Sequence, residues 1–376
     1  MSKAAELANL IGNINAGGGG VNRNLIINGD MAVAQRGTSS TSVASDGYYT
    51  CDRWKYIDES TGGAVTLTQD SSVPTGSGLS KSFKVDVTTA DTSVAADHSI
   101  RVQQRIEGQN LQGVAKGTSD AKPLVCSFYV KSTLTGQFNM YLEDTDNSRA
   151  IAGTYSISSA DTWEYKTVRF PADTTGAFTN DNNMSLVLHF FLAAGSNFTS
   201  GTIASAWQSK TNANLGVGMT NNILSSTSND WAMAGVQLEI GQNPTEFESE
   251  PFERTLNKCY RYTQRLPHFD NTSGSGFAGI CTVGRNDSTT VNSSAAMLPV
   301  TMRDDAAIES QSGSFRIHHA NAATALSESI SIDDNIATSG LVHLTLTVSS
   351  GLTAGDGGQL QQNNDADAHI IIESEL

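Results

Sequence analysis

Basic residues are scarce in this chain: 23 Lys and Arg stand against 38 Asp and Glu in 376 residues, a formal net charge of −15. No Lys/Arg cluster interrupts that balance. A nucleic-acid-binding protein meets phosphates with a basic face, so that class is excluded. The four cysteines, Cys51, Cys126, Cys259 and Cys281, include no C-x-x-C pair, and no zinc site is expected. An extracellular disulfide and buried thiols in a reducing cytoplasm both fit the spacing, and buried thiols are the preferred reading. The opening Met-Ser-Lys-Ala-Ala-Glu has no signal-peptide pattern. No apolar run reaches the roughly 20 residues that span a bilayer, so no membrane insertion is expected. These absences describe a chain made in a cytoplasm, which would reach the outside by lysis or on a particle.

Catalytic signatures are missing too. The sequence has no G-x-S-x-G, H-E-x-x-H or G-x-x-x-x-G-K-[ST], and no G-x-G-x-x-G between a strand and a helix. His318 and His319 are adjacent in a strand and point to opposite faces, so they cannot share a metal. Asp144-Thr-Asp-Asn147 and Asp365-Ala-Asp367 lack the rest of a calcium-loop pattern and read as solvated turns. A two-carboxylate glycosidase site leaves no local signature, and nothing positive supports one. The expectation is a non-enzyme with no cofactor and no metal.

What is abundant is Gly, Ser, Thr, Asn and Asp, which favour short strands joined by many turns. Period-two alternation recurs through residues 22–250, as in Ala64–Thr68, Ser82–Val87, Ser99–Ile106, Leu124–Val130, Gln137–Leu142, Glu164–Phe170, Met184–Leu192 and Trp231–Ile240. Strands at this spacing predict two packed sheets. The segment Asn24–Gly37 reads as the opening strand, with Val236–Ile240 as its partner. Residues 1–16 read as a short helix with Leu7, Leu10, Ile11 and Ile14 on one stripe. A lone helix of that length is marginal in water and calls for a partner, either a larger assembly or a second copy in a short coiled coil. Gly17–Gly20 form a hinge. From Pro251 the pattern turns helical, and from 267 it returns to alternation, with strands expected at Phe277–Val283, Ala296–Met302, Ser314–Ile317, Ser327–Ile332, Val342–Val348 and Ala368–Glu373. The predicted class is all-β, two β-sandwich (jelly-roll-like) domains with a short N-terminal helical anchor and a short linking helix. The divisions are 1–20 attachment peptide and hinge, 21–250 first sandwich, 251–266 linking helix and 267–376 second sandwich.

Aromatic residues are the candidate ligand contacts, because pyranose rings stack on Trp and Tyr. Trp54 and Trp231 lie in alternating strands and read as core. Tyr48 and Tyr49, in a Gly-led turn, and Trp207, in a Ser/Asn-rich loop, are the candidate ligand-binding residues.

Several segments resemble a family of bacteriophage tail-fibre and virion-appendage proteins. They are Asn24-Leu-Ile-Ile-Asn-Gly-Asp-Met31, Gln35-Arg-Gly37, Tyr49-Thr-Cys-Asp-Arg-Trp54, Arg105-Ile-Glu-Gly108, Ala121-Lys-Pro-Leu-Val-Cys-Ser-Phe-Tyr-Val-Lys131, Gly235-Val-Gln-Leu-Glu-Ile-Gly241, Thr245-Glu-Phe-Glu248 and Leu256-Asn-Lys-Cys-Tyr-Arg-Tyr262. Ser350–Gly355 and Asn363–His369 look like the close of the same family. The first domain is also similar to jelly-roll carbohydrate-binding modules. The resemblance implies a homotrimeric virion part, a tail fibre or appendage on the tail or capsid surface. Residues 1–20 would join it to other virion proteins, and it would adhere to host cell-surface glycan. The alternatives are a purely architectural decoration or adaptor without glycan affinity and, behind it, a polysaccharide depolymerase. The family carries no agreed ligand residues to transfer.

Overall fold

A computed structural model describes residues 2–15, 22–59, 62–267, 279–320, 322–325, 330–333 and 340–376. The chain divides into two compact units, Met1–Thr255 with Leu376, and Leu256–Glu375. Both are built from antiparallel sheets, and the all-β class stands.

The first unit begins with helix α1 (Lys3–Asn15), which contains all four residues of the predicted stripe. Leu7 and Ile11 are exposed on it. The Gly17–Gly20 hinge lies outside the described residues. Thirteen strands follow: β1 (Ser39–Val43), β2 (Gly47–Tyr48), β3 (Lys55–Glu59), β4 (Ala64–Asp70), β5 (Ser82–Thr89), β6 (Ser99–Glu107), β7 (Leu124–Ser132), β8 (Gly136–Asp144), β9 (Arg149–Ile157), β10 (Glu164–Phe170), β11 (Met184–Ala194), β12 (Gln208–Ser209) and β13 (Asp230–Ile240). A short helix α2 (Ser196–Thr199) follows β11. One sheet has the order β1-β4-β5-β13-β7-β10, and the other β12-β9-β8-β11-β6-β3-β2. The chain passes repeatedly from one sheet to the other, as in a jelly roll, so the inward side chains of both sheets meet in one core. Trp54 and Trp231 are fully buried there. Phe190 links them, with ring centroids 6.4 Å from Trp54 and 6.0 Å from Trp231, and packs edge-on to Phe128 at 5.0 Å. Cys51, Cys126 and Cys281 are buried free thiols, and Cys259 is also buried.

Asn24–Gly37 does not form the expected strand. It is a looped segment that lies against its expected partner by a different device. The Asn24 side chain stands in for a strand peptide: its Nδ2 donates to Val236 O at 3.0 Å and its Oδ1 accepts from Leu238 N at 3.1 Å. Leu25 N then donates to Leu238 O at 2.8 Å, and Val236 N to Gly29 O at 2.9 Å. β5 pairs with β13 only from Asp230 to Met233, so this loop covers the edge that β5 leaves open. Gly29 is required there, since a Cβ would lie 2.1 Å from Val236 O. Asn28, at φ +59°, bonds Val33 and Asp52 through its side chain, and its carbonyl accepts the Trp54 indole N–H at 3.1 Å. Side-chain bonding to backbone replaces ladder bonding.

The expected helix over 251–266 is shorter, α3 (Phe252–Tyr260). Residues Thr263–Leu266 instead pair with His369–Glu373 as a strand. In the second unit, a three-stranded sheet has the order Thr263–Leu266, His369–Glu373, Ala307–Ser312. A seven-stranded sheet has the order Ala322–Ala325, Phe315–His319, Gly357–Gln362, Gly284–Asn286, Val291–Met297, Leu341–Thr347, Ile330–Ile332. The strand expected over Phe277–Val283 is absent in its described part, which carries one isolated bridge at Gly279. The strand expected at Ala296–Met302 sits earlier, ending at Met297. The expected strand Ser327–Ile332 is described only at Ile330–Ile332.

Candidate functional site

The three candidate ligand residues do not share a face. Tyr48 is in β2, at one edge of the seven-stranded sheet, and Trp207 adjoins β12, at the other edge. Six strand spacings separate them, about 29 Å at roughly 4.8 Å each. Tyr48 is half-buried, with the Arg36 guanidinium and Lys55 ammonium 5.2 and 5.7 Å from its ring centroid. The Tyr49 hydroxyl lies 2.9 Å from Ser45 Oγ.

Trp207 serves a buried charge cluster. The Lys116 ammonium is enclosed by Asp144 Oδ2 at 2.5 Å, Asp173 Oδ2 at 3.1 Å, and the carbonyls of Thr175 and Gly176 at 2.9 and 2.8 Å. The Trp207 ring lies 5.2 Å from that ammonium and Phe178 lies 5.3 Å away on centroid distances. The Trp207 indole N–H is used by Pro171 O at 2.9 Å. Asp144 therefore belongs to a buried ion pair and not to the solvated turn the sequence suggests. Among the described residues no cluster of three or more His, Cys, Asp or Glu is arranged to hold a metal ion.

The outer face of the seven-stranded sheet carries a linked set of titratable side chains. The cross-strand register puts Tyr141 beside His189 and His189 beside Gln103. The Tyr141 and His189 rings stack at 4.0 Å with 7° between planes. Arg101 donates to the Tyr141 hydroxyl at 2.8 Å and pairs with Glu59. With the Gln103 amide turned to satisfy its neighbours, its nitrogen donates to His189 Nδ1 at 3.1 Å and its oxygen accepts from Arg105 Nε at 2.9 Å. The His189 proton then sits on Nε2, which faces Glu143 Oε2 at 3.4 Å. Burial pushes His189 down to about 3 and keeps it neutral. Burial acts against the Glu143 carboxylate, but His189 and Lys210 outweigh it and bring Glu143 to about 2. A general acid or base works best with a pKa near the operating pH, and neither group is so poised.

This face is roofed. Parts of residues 195–224 on either side of β12 cover it, tied down where Asn139 Nδ2 donates to the carbonyls of Leu215 and Val217 at 3.3 and 3.1 Å and Gln137 Nε2 donates to Val217 O at 3.0 Å. Phe198, from α2, packs on Phe191 at 5.7 Å, and the Arg101 guanidinium lies 5.9 Å from both rings. Tyr141, Asn139 and Phe191 are completely buried.

An open aromatic surface lies on the other sheet. Among the described residues only two aromatic side chains are exposed, Tyr165 and Phe252. Tyr165 is in the edge strand β10, directly opposite Tyr129 of β7, with ring centroids 5.0 Å apart. The same register, extended by one residue beyond Glu164–Val130, sets Trp163 opposite Lys131. The Lys131 ammonium is 5.6 Å from the Trp163 ring centroid and 3.4 Å from Ser72 Oγ, which the Trp163 indole N–H also reaches at 3.4 Å. The Tyr165 hydroxyl bonds Ser127, and burial raises its pKa above the usual tyrosine range. Four residues on two adjacent strands thus form a ledge: three rings and one cation. Neither Trp163 nor Tyr165 stands out in the sequence, because alternation gives their shared face while the pairing with Tyr129 and Lys131 exists only in three dimensions.

No protein-family model matches the chain, and no curated protein matches it. Solved structures that align with it include the enzymatically active domain of tailspike protein 4 of bacteriophage CBA120. That alignment has 13% identity and TM-score 0.30, over 58% of this chain and 21% of that one, so the chain spans about a fifth of its length. The family 11 carbohydrate-binding module of a Clostridium thermocellum cellulosomal cellulase aligns at 13% identity and TM-score 0.26, over 54% of this chain and 95% of the module. A family 61 carbohydrate-binding module, solved with β-1,4-galactotriose, aligns at 9% identity and TM-score 0.27, over 59% of this chain and 99% of the module. Likenesses this distant carry no argument about function, which rests on the chain's own residues.

Proposed function

We propose that this chain is a non-enzymatic bacteriophage virion protein, a tail fibre or appendage that adheres to host-surface glycan through the Trp163–Tyr165–Tyr129 ledge. The observation that carries the reading is the exposure of Tyr165 on an open sheet face beside two further rings. An exposed ring presents a face to the C–H-lined side of a pyranose, while neighbouring hydroxyls and amides fix its orientation. One such ledge is a weak site. Three copies in a homotrimer, many times over on a particle, would make adhesion strong by multivalency. The motif resemblance beyond residue 21 supports the virion setting. The exposed Leu7 and Ile11 of α1 support residues 1–20 as the segment that joins other virion proteins or other copies of the chain.

The test is binding of the purified full-length protein to a glycan array and to host cells, alongside Tyr165→Ala and Trp163→Ala. Loss of binding in folded variants supports the reading. A folded wild-type protein that binds no glycan, yet is incorporated into particles, would make it an architectural part. Deleting residues 1–20 should leave a folded protein that no longer enters particles.

A further inference from the structure

The ledge contains a cation without an acidic partner. Lys131 has the Trp163 ring and the Ser72 hydroxyl as its neighbours, and no carboxylate of the described residues lies within ion-pair distance of it. In a chain of net charge −15 this is conspicuous, and several neighbouring charges are engaged elsewhere. Lys84, two strands away on the same face, is neutralised by Asp230 at 3.1 Å and Asp86 at 3.6 Å. Alternation turns Glu164 and Lys166 to the other side of β10, where they pair at 2.5 Å. Glu239 is buried and bonded to Thr245 and Gln237. The Lys131 ammonium is half-buried beside exposed ring surface, where water screens a new ion pair less than in the open.

We infer that the ledge takes an acidic saccharide, its pyranose face lying on Tyr165 and its carboxylate meeting Lys131. This rests on the glycan-binding reading and names the ligand class of that same surface. A neutral sugar would use the rings and leave the ammonium without a counter-charge. An acidic one supplies that counter-charge.

The experiment uses the full-length protein with two matched probe pairs: oligogalacturonate against its carboxyl-reduced neutral form, and sialyllactose against lactose. Variants are Lys131→Gln, Lys131→Arg and Tyr165→Ala, each checked for folding by circular dichroism. The expected result is tighter binding of at least one acidic member. Lys131→Gln should abolish that preference with a loss of about fivefold, Lys131→Arg should keep it, and Tyr165→Ala should lose both members of the pair. Equal binding of acidic and neutral members, lost in Tyr165→Ala and unmoved by Lys131→Gln, would overturn the acidic preference while leaving the ledge as a glycan site. Absence of saccharide binding in the wild type, or binding unmoved by Tyr165→Ala, would overturn the ledge reading and the inference with it.

Discussion

The two outer faces of the first unit divide chemistry and access between them. The face of the seven-stranded sheet holds Arg101, Tyr141, Glu143 and His189 in direct contact, yet parts of residues 195–224 cover it. The face of the six-stranded sheet also carries paired polar groups, Lys84 with Asp230 and Glu239 with Thr245, yet its rings stand open at Tyr165. A dense cluster of titratable side chains is usually the first place to look for function. Here the members lean on one another under a covering segment, with the Arg101 Nε and His189 Nε2 atoms buried and not hydrogen-bonded, and the perturbed pKa values accompany burial at a structural joint. The more open face, with an exposed ring and an unmatched ammonium, is the one with room to meet a ligand.

Substitutions can break this contrast from either side. The largest expected effect is at Lys116. Lys116→Ala leaves the fully buried Asp144 without its cation, while Asp173 keeps Arg149 at 2.8 Å, and should cost about 3–5 kcal/mol, measured by urea denaturation. A cost below roughly 1 kcal/mol would mean the cluster is wet. The acid side of the stability profile comes next. His189 is depressed to about 3, so the unfolded chain takes up that proton first, and stability falls as the pH drops from about 6.5 towards 3. Glu143 is depressed to about 2, so its contribution is present above roughly pH 4.3 and is lost as the pH falls towards 2. Both act in the same direction. His189→Gln should flatten the fall between about pH 6.5 and 4.3, and an unchanged slope in denaturant titrations would show that this face is open to water. Asn139→Ala releases the Leu215 carbonyl and leaves that of Val217 to Gln137 alone, and should cost about 1–3 kcal/mol, with faster proteolysis inside residues 200–224. The smallest effect on stability belongs to the open face. Tyr165→Ala should change it by less than about 0.5 kcal/mol, while weakening glycan binding by roughly tenfold or more.

Much of the sandwich was legible because its strands alternate. In β4 every second side chain is buried, the pattern that Ala64-Val-Thr-Leu-Thr68 displays, and Glu164–Phe170 appears with its boundaries intact. The failures have physical causes. Asn24 imitates a strand with its side chain, which no periodicity reveals. Gly357–Gln362 is a strand whose Gly and Gln residues have low strand preference, and it is held by neighbours on both sides. Arg149–Ile157 does not read as a strand in sequence because its Ala and Gly residues dilute the alternation. The site was less legible than the fold. Tyr48, Tyr49 and Trp207 were chosen from their turn-rich surroundings, and the structure puts Tyr48 and Trp207 at opposite edges of one sheet. Pairings such as Tyr165 with Tyr129 span 36 residues of sequence, as the two residue numbers show, and only the register brings them together.

The backbone amides of Asn22 and Asn24 both bond the Glu248 carboxylate, at 2.7 and 2.9 Å. The unit's entry and exit are thus clasped at one point, with antiparallel segments behind the clasp. A pull between residues 22 and 249 would strain this clasp first and would open the segments one bond at a time, like a zipper. Until it gave way, the sandwich would hang beside the line of tension as a pendant, and its ledge would keep its shape under load.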